Sequence, residues 1–414
     1  MKTLTVIGLG YIGLPTAAVF ADAGFSVTGV DVKEDAVTAI NDGRAHIFEP
    51  GLDQLVKEVV TDGTLIASTE AQPADSFVIA VPTPFKGDHE PDLSYVRAAS
   101  EQIAPLLEPG NLIVLESTSP IGTTEKVANW IHALRPDLRM PADGEPGDIA
   151  LAYCPERVLP GKILFEIRNN DRLLGGLSEH CANAAAALYG EVVSGQCFTT
   201  TSRTAELAKL AENAFRDVNI AFANELSVIA DDHDIDVWEL IELANLHPRV
   251  NILKPGPGVG GHCIAVDPWF IVHSAPGKAQ LVHQARLVND AKPAWVADQI
   301  LAAAAEQPAP VIACLGLAYK PDIDDLRQSP AIEVVKQLRA KTNAEILVVE
   351  PNVHELPASL KGLDVRLVSV ESALDEASVV VPLVAHQEFF DLTDRRLSER
   401  AVVDPIGLVR RFVE

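Results

Sequence analysis

Short apolar runs alternate with amphipathic stretches along the first half of the chain, a pattern that predicts a parallel sheet covered by helices. Residues 4–7, 26–30, 76–81, 111–115 and 149–153 read as buried strands, with residues 14–23, 36–41, 93–107 and 123–133 as helices between them. This block ends near Gly195. After the polar run Thr199-Thr200-Thr201-Ser202 the period becomes helical and holds to about Asp232, longer than an average helix, and a second helix covers 236–245. Long helices in such a position connect domains and offer apolar faces to a second subunit. From Pro310 the alternation returns, with strands at 311–315, 345–349 and 378–383 and helices at 331–338 and 370–376. The expected organisation has three parts. A doubly wound α/β domain covers 1–197, a central helical region that pairs two subunits covers 198–300, and a smaller α/β domain covers 301–414 and reads as a degenerate repeat of the first.

Composition narrows the class. The chain has 414 residues, 48% of them apolar and 22% charged, which suits two or three independently cored domains and argues against disorder. No apolar run approaches the roughly 18 residues a membrane span needs. Met1-Lys2-Thr3 passes directly into the first strand without room for a charged leader, so a cytoplasmic protein is expected. Cys154, Cys181, Cys197, Cys263 and Cys314 show no Cys-x-x-Cys spacing, so neither a disulfide framework nor a metal site is expected. A net charge of -25 disfavours nucleic acid and anionic membranes as partners. It also repels a phosphorylated substrate at long range, so any such site must bring its own basic residues.

Gly8-Leu9-Gly10-Tyr11-Ile12-Gly13 follows a predicted strand and opens a predicted helix, and Asp31 closes the next strand. In that setting the glycines allow a tight turn and close approach of a pyrophosphate to the helix N-terminus. Asp31 would accept hydrogen bonds from the adenosine ribose and repel a 2'-phosphate, which favours NAD over NADP. The first domain is thus expected to be Rossmann-like. Val81-Pro82-Thr83-Pro84 and Ser117-Thr118-Ser119-Pro120 end the next strands, at the sheet edge where ligands bind in open parallel sheets.

The stretch Pro255-Gly256-Pro257-Gly258-Val259-Gly260-Gly261-His262-Cys263 precludes regular structure, and its backbone must approach something closely. Cys263, with Asp267 four residues on, has the makings of a nucleophile that attacks a carbonyl; a small buried hydrophobe is the bland alternative. Lys209, Asn213 and Arg216 share one face of the long helix. They form either a solvated polar face or a set that stabilises a thiolate, an oxyanion or a proton in transit.

Seven runs together resemble the UDP-glucose/GDP-mannose dehydrogenase family over essentially the whole chain: Gly-Leu-Gly-Tyr-Ile-Gly-Leu-Pro, Ala-Val-Pro-Thr-Pro, Glu-Ser-Thr-Ser-Pro, Tyr-Cys-Pro-Glu-Arg, Glu-Leu-Ala-Lys-Leu-Ala-Glu-Asn, Gly-Gly-His-Cys-Ile-Ala-Val-Asp-Pro and Lys-Pro-Asp-Ile-Asp-Asp-Leu-Arg. Three further runs, 82–91, 202–206 and 247–252, resemble the branch that oxidises UDP-N-acetyl-D-mannosamine to its uronate, a precursor of surface polysaccharide. UDP-N-acetylglucosamine and UDP-glucose are the competing substrates. The resemblance implies two NAD per substrate, a Cys263 thiohemiacetal and thioester, and a homodimer. It implies Lys209 and Asn213 at the reacting oxygen, Asp267 and Thr118 arranging water and protons, and Glu156 assisting thioester hydrolysis. Arg157, Val158, Lys209, Asn213, Arg216, His247, Arg249, Gly260, Tyr319 and Lys320 match sugar-nucleotide positions. Tyr11, Ile12, Thr83, Thr124 and Arg327 match cofactor positions. A two-electron dehydrogenase needing Lys209 but not Cys263, and a non-catalytic cofactor sensor, are the alternatives; NADH per substrate separates them.

Overall fold

The computed structural model describes residues 2–142, 144–159, 161–261, 263–392, 397 and 400–409. It divides into two compact units, Met1–Ala211 and Glu212–Glu414.

In the first unit the strands β1 (Thr3–Ile7), β2 (Ser26–Val30), β3 (Leu65–Ser68), β4 (Ser76–Ile79), β7 (Leu112–Leu115), β8 (Ala150–Tyr153), β9 (Arg172–Gly176) and β10 (Cys197–Thr201) form one sheet; a small hairpin, β5 (Phe85–Lys86) and β6 (Glu90–Pro91), stands apart. The order is β10-β9-β8-β7-β4-β1-β2-β3, parallel throughout except for the β8–β9 pair. Successive residues of the central strands enter opposite cores, as expected of strands covered on both faces. Leu112 and Val114 join one core with Leu14, Ala17 and Val56, while Ile113 and Leu115 join the other with Val96, Ala99 and Val127. The helices responsible are α1 (Gly13–Asp22), α2 (Glu34–Asn41), α3 (Leu52–Thr61), α4 (Ser94–Ile103), α5 (Thr123–Leu134), α6 (Ile163–Asn169) and α7 (Glu179–Tyr189). The helix expected to reach residue 107 ends at Ile103 because Pro105 has no N–H to continue it.

Helix α8 (Ser202–Asp232) is the expected long connector, and the division between the units falls inside it. The second unit continues with α9 (Val237–Asn245), α10 (Asp267–Ser274) and α11 (Gln280–Ala305). The Asp236 carboxylate caps α9, accepting the Trp238 N–H at 2.9 Å. Helix α11 has no counterpart among the predicted elements: it contains Pro293, and its inward positions include Arg286, Asn289 and Lys292, all buried. The second sheet holds β11 (Val311–Leu315), β12 (Glu345–Val349), β13 (Arg366–Leu367), β14 (Val379–Pro382) and β15 (Ala401–Val402) in the order β13-β12-β11-β14-β15, all parallel. Helices α11 and α12 (Pro330–Lys341) cover one face, and α13 (Val370–Glu376) the other. Among the described residues no helix is long and apolar enough to cross a membrane, and no group of His, Cys, Asp and Glu could hold a metal ion.

Candidate active site

In the first unit the glycine loop leaves β1 and turns into α1. Gly8 adopts φ 91° and donates its N–H to the Val30 carbonyl at 2.7 Å. A Cβ on Gly8 would lie 2.7 Å from the Ala80 oxygen, and one on Gly13 only 1.8 Å from the Gly8 oxygen. These two positions admit no side chain. Gly10 is exposed, and a Cβ there would meet nothing within 4 Å, so its bareness leaves the loop open to a ligand. No acidic residue stands in the first turn of α1 and no side chain caps it, so the positive end of the helix is left uncompensated for an anion, although the Leu14 and Thr16 N–H groups already donate to the Gly10 and Ile12 carbonyls. Asp31 is anchored by both oxygens, accepting the Leu9 and Lys33 N–H groups at 3.0 Å each. A carboxylate has about four lone-pair sites, so acceptor capacity for a ribose remains. Tyr11 is exposed and Ile12 half-buried beside the loop. This cradle fits a dinucleotide.

The segments after β4 and β7 are stitched together at the same edge of the sheet. The Thr83 hydroxyl donates to the Thr118 carbonyl at 2.7 Å, and the Ser117 hydroxyl to the Val81 carbonyl at 2.7 Å. Thr124 does not stand open there: it is fully buried, and its N–H and hydroxyl both donate to Glu206 Oε1, at 2.8 and 2.7 Å. Glu206 also takes the Gly122 N–H at 2.6 Å, so it caps α5 from 84 residues away. No role was read for Glu206 in the sequence, although it lies in two of the quoted runs; the signal was a helix start, Gly122-Thr123, with no capping side chain of its own.

Glu156 follows β8 and is buried, accepting the Arg157 N–H at 2.6 Å and Arg172 Nη1 at 3.2 Å. Arg172 went unnoticed in the sequence, and no role was read for Glu116, which opens the quoted run Glu-Ser-Thr-Ser-Pro. Glu116 accepts the Tyr189 hydroxyl at 2.5 Å and the Thr16 hydroxyl at 3.3 Å. Burial first, then the charge of Glu156, pushes the Glu116 carboxyl up to about 7, with Arg172 opposing. Two carboxyl groups thus share one guanidinium, and near neutral pH the pair keeps a proton. Arg157 is exposed, Val158 half-buried, and Lys209 buried on α8.

In the second unit the glycine-rich segment packs closely, as its composition predicts. A Cβ on Gly260 would lie 2.4 Å from the Gln328 oxygen, and one on Gly261, at φ 87°, 2.8 Å from the Tyr319 ring. His262 lies outside the described residues. Cys263 is exposed, and its carbonyl accepts the Val266 and Asp267 N–H groups at 3.1 and 2.9 Å, which sets the thiol residue just ahead of the N-terminus of α10. Cys154, Cys181 and Cys314 are buried, and burial pushes Cys314 up to about 12 and Cys154 higher still, so neither serves as a nucleophile near neutral pH. Asn213 Nδ2 donates to Asp267 Oδ2 at 2.5 Å, which joins two of the expected residues and fixes the amide with its oxygen turned away from the carboxylate. Arg216, His247 and Arg249 are exposed. The Arg249 N–H donates to His247 Nδ1 at 3.3 Å, leaving the proton of a neutral imidazole on Nε2. Tyr319 and Lys320 are half-buried, and Arg327 makes a two-point pair with Asp325, at 2.9 and 2.8 Å.

Three family models match the chain in succession: the NAD binding domain of the UDP-glucose/GDP-mannose dehydrogenase family over residues 2–193, its central domain over 203–291 and its UDP binding domain over 313–411. A UDP-N-acetyl-D-mannosamine dehydrogenase from Yersinia pestis is 56% identical over 418 residues, 99% of each chain. An NDP-N-acetyl-D-galactosaminuronic acid dehydrogenase from Ralstonia nicotianae is 56% identical over 408 residues, 98% of this chain and 96% of its own. Among solved structures, a UDP-D-ManNAc dehydrogenase from Pyrococcus horikoshii superposes with a TM-score of 0.87 at 38% identity, covering 98% of this chain and 96% of that one.

Proposed function

The chain belongs to the UDP-glucose/GDP-mannose dehydrogenase family, and from that premise we propose that it oxidises UDP-N-acetyl-D-mannosamine to the uronate with NAD, through a Cys263 thioester. The observation that carries the reading is the exposed Cys263 at the head of α10, with Asn213 bonded to Asp267 in the same unit. NAD, when bound, supplies the hydride acceptor for each of the two oxidations. Every other part falls to the protein's own residues. Gly10 and the first turn of α1 receive the pyrophosphate, Gly8 and Gly13 hold the turn, and Asp31 selects the unphosphorylated ribose. Tyr11, Ile12, Thr83 and Arg327 complete the cofactor contacts, and Thr124 shapes that wall through Glu206.

Cys263, as thiolate, adds to the carbonyl carbon of the aldehyde left by the first oxidation, and the carbonyl oxygen takes a proton as the thiohemiacetal forms. Lys209 and Asn213 meet that oxygen as it carries charge. Oxidation of the thiohemiacetal gives the thioester, and water, arranged by Thr118 and Asp267, adds to it with Glu156 as the proton acceptor. The carboxylate leaves and the thiol is restored. Arg157, Val158, Arg216, His247, Arg249, Gly260, Tyr319 and Lys320 bind the sugar nucleotide and supply the local positive charge that a chain of net charge -25 otherwise lacks.

We place this activity in the cytoplasm and in a homodimer. Phe215, Phe222 and Ile229 are exposed at seven-residue spacing on α8, an apolar stripe of the kind that pairs with a second copy. The relative from Ralstonia nicotianae supports a second reading, an N-acetylgalactosamine nucleotide as substrate. NADH formation with UDP-N-acetylmannosamine, UDP-N-acetylgalactosamine, UDP-N-acetylglucosamine and UDP-glucose side by side tests the assignment. Two NADH per molecule of the first, and slower turnover of the others, is expected. One NADH per molecule, or faster turnover of another sugar, overturns the proposal. Cys263→Ser should bind NAD yet form no acid; uronate at the normal rate would remove the thioester from the scheme.

A further inference from the structure

Helices α8 and α11 of the second unit are joined by buried polar side chains whose hydrogen bonds run in one direction and end on the backbone of the thiol loop. Asn289 Nδ2 donates to Asp217 Oδ1 at 2.8 Å and to the Asp217 carbonyl at 3.1 Å. Asn224 Nδ2 donates to Asn289 Oδ1 at 2.9 Å, and the Gly256 N–H donates to Asn224 Oδ1 at 2.9 Å. Asp217 and Asn224 are fully buried and Asn289 nearly so. Arg286 Nη1 holds the free end at Asp217 from 2.5 Å and pairs with Asp290 on its other side.

The two ends of this chain dictate its polarity. An ionised carboxylate only accepts and a backbone N–H only donates, while each amide side chain has one accepting oxygen and one donating nitrogen. Only one orientation of both asparagines gives each amide oxygen a donor and each amide nitrogen an acceptor, and burial makes an unpaired amide costly. Pro255 and Pro257 flank Gly256 and carry no N–H, so Gly256 is the single backbone donor of that triplet. The next turn of the loop passes close to the backbone of the same helix: a Cβ on Gly258 would come within 3.3 Å of the Asn289 backbone carbonyl oxygen and 2.9 Å of Pro330.

We propose that Asp217, Asn289 and Asn224 act as a directional relay that fixes the start of the Cys263 loop, which makes Asn224 a positioning residue for the thiol. The inference rests on the reading of Cys263 as the nucleophile. A carboxylate at 224 could still accept from Gly256 but could not donate to Asn289, so Asn224→Asp breaks the chain at its middle. Asn224→Ala removes both bonds, so the two variants separate the loss of one link from the loss of two.

The experiment measures kcat and KM for acid formation, NAD affinity, and amide exchange across residues 252–261 and β11 in the full-length enzyme. Asn224→Ala and Asn224→Asp should each lower kcat by about tenfold or more, the scale on which small misplacements act, and speed exchange at Gly256 with NAD affinity unchanged. The proposal is overturned if Asn224→Ala keeps its kcat, if its exchange at Gly256 does not quicken, or if exchange quickens by the same factor in β11, which would report a general loosening. Where Asn224→Ala does not fold, the exchange and kcat of Asn224→Asp decide. Cys263→Ser measured alongside separates the two readings: uronate formation by that variant sinks the nucleophile, whereas Gly256 exchange in Asn224→Ala still reports on the relay.

Discussion

Replacing Glu116 with Gln should stabilise the first unit above neutral pH and leave it little changed in acid. Glu116 is buried between the Tyr189 and Thr16 hydroxyls, with Glu156 and Arg172 nearby in charge. Its carboxyl ionises near 4.5 in the unfolded chain and near 7 in the fold. Between those values the unfolded chain releases a proton that the folded chain keeps, so the stability from this group is complete below about 4.5 and is lost as pH rises through about 7. A rise of that size corresponds to about 3 kcal/mol. Sharing of Arg172 with Glu156 lowers the expectation to about 2 kcal/mol. Gln keeps an oxygen for Tyr189 and offers an amide toward Thr16, so the variant should lose little packing. Urea unfolding at pH 5 and 8.5, followed by a probe of the first unit because two units need not melt as one, should show a gain for Glu116→Gln at pH 8.5 that fades at pH 5. An equal effect at both pH values, or a loss at pH 8.5, would refute the reasoning.

Three further outcomes follow from local geometry. Gly13→Ala puts a methyl group 1.8 Å from the Gly8 oxygen, so the turn must distort; overpacking of about 1–3 kcal/mol should weaken NAD binding by about tenfold or more in titration calorimetry, and unchanged affinity would mean that the loop yields freely. Asp31→Ala should raise the relative affinity for NADP over NAD by about tenfold, near 1.4 kcal/mol, in parallel titrations; a constant ratio would confine Asp31 to its bonds with Leu9 and Lys33. Burial pushes Lys292 down to about 7 against the pull of Asp231, so the folded state gains stability as pH rises from about 7 toward the ordinary lysine range. Lys292→Met should therefore stabilise most near pH 6, with the Trp295 ring at 3.4 Å offsetting part of the gain; a urea midpoint that shifts no more at pH 6 than at pH 9.5 counts against it.

Legibility in the sequence followed the kind of residue that fills each interior. Ile113 and Val348 sit in strands whose apolar runs are unbroken and Leu4 in one interrupted by Thr5 alone, and these elements were readable within a few residues. Strand β10 was not: it is an edge strand of sequence Cys-Phe-Thr-Thr-Thr with Phe198 half-exposed, so it lacks both the apolar run and the alternation. Helix α11 was hidden because three of the inward positions of its first half, beside Ala285, are Arg286, Asn289 and Lys292, which mimic a solvated face. The same holds for the site. Gly8, Gly13 and Gly261 were visible because their conformations or close contacts exclude other residues, whereas Glu116, Arg172 and Glu206 matter through partners 73, 16 and 84 residues away. No local pattern records pairings of that range.

The two glycine segments therefore do different chemical work with one residue type. In the first, Gly8 and Gly13 remove clashes so that Gly10 can remain open to a ligand, and the helix behind it carries no side-chain cap. In the second, Gly258, Gly260 and Gly261 have lost their open space to Pro330, Gln328 and Tyr319, so the segment is held by packing rather than opened by its lack of side chains. Held loops suit a nucleophile, whose rate depends on placement, and open loops suit a charged cofactor, whose binding depends on access. The exposed thiol needs such restraint most. The Gly256 N–H is anchored on Asn224, close contacts continue through Gly261, and the exposed Cys263 precedes the helix that starts at Asp267.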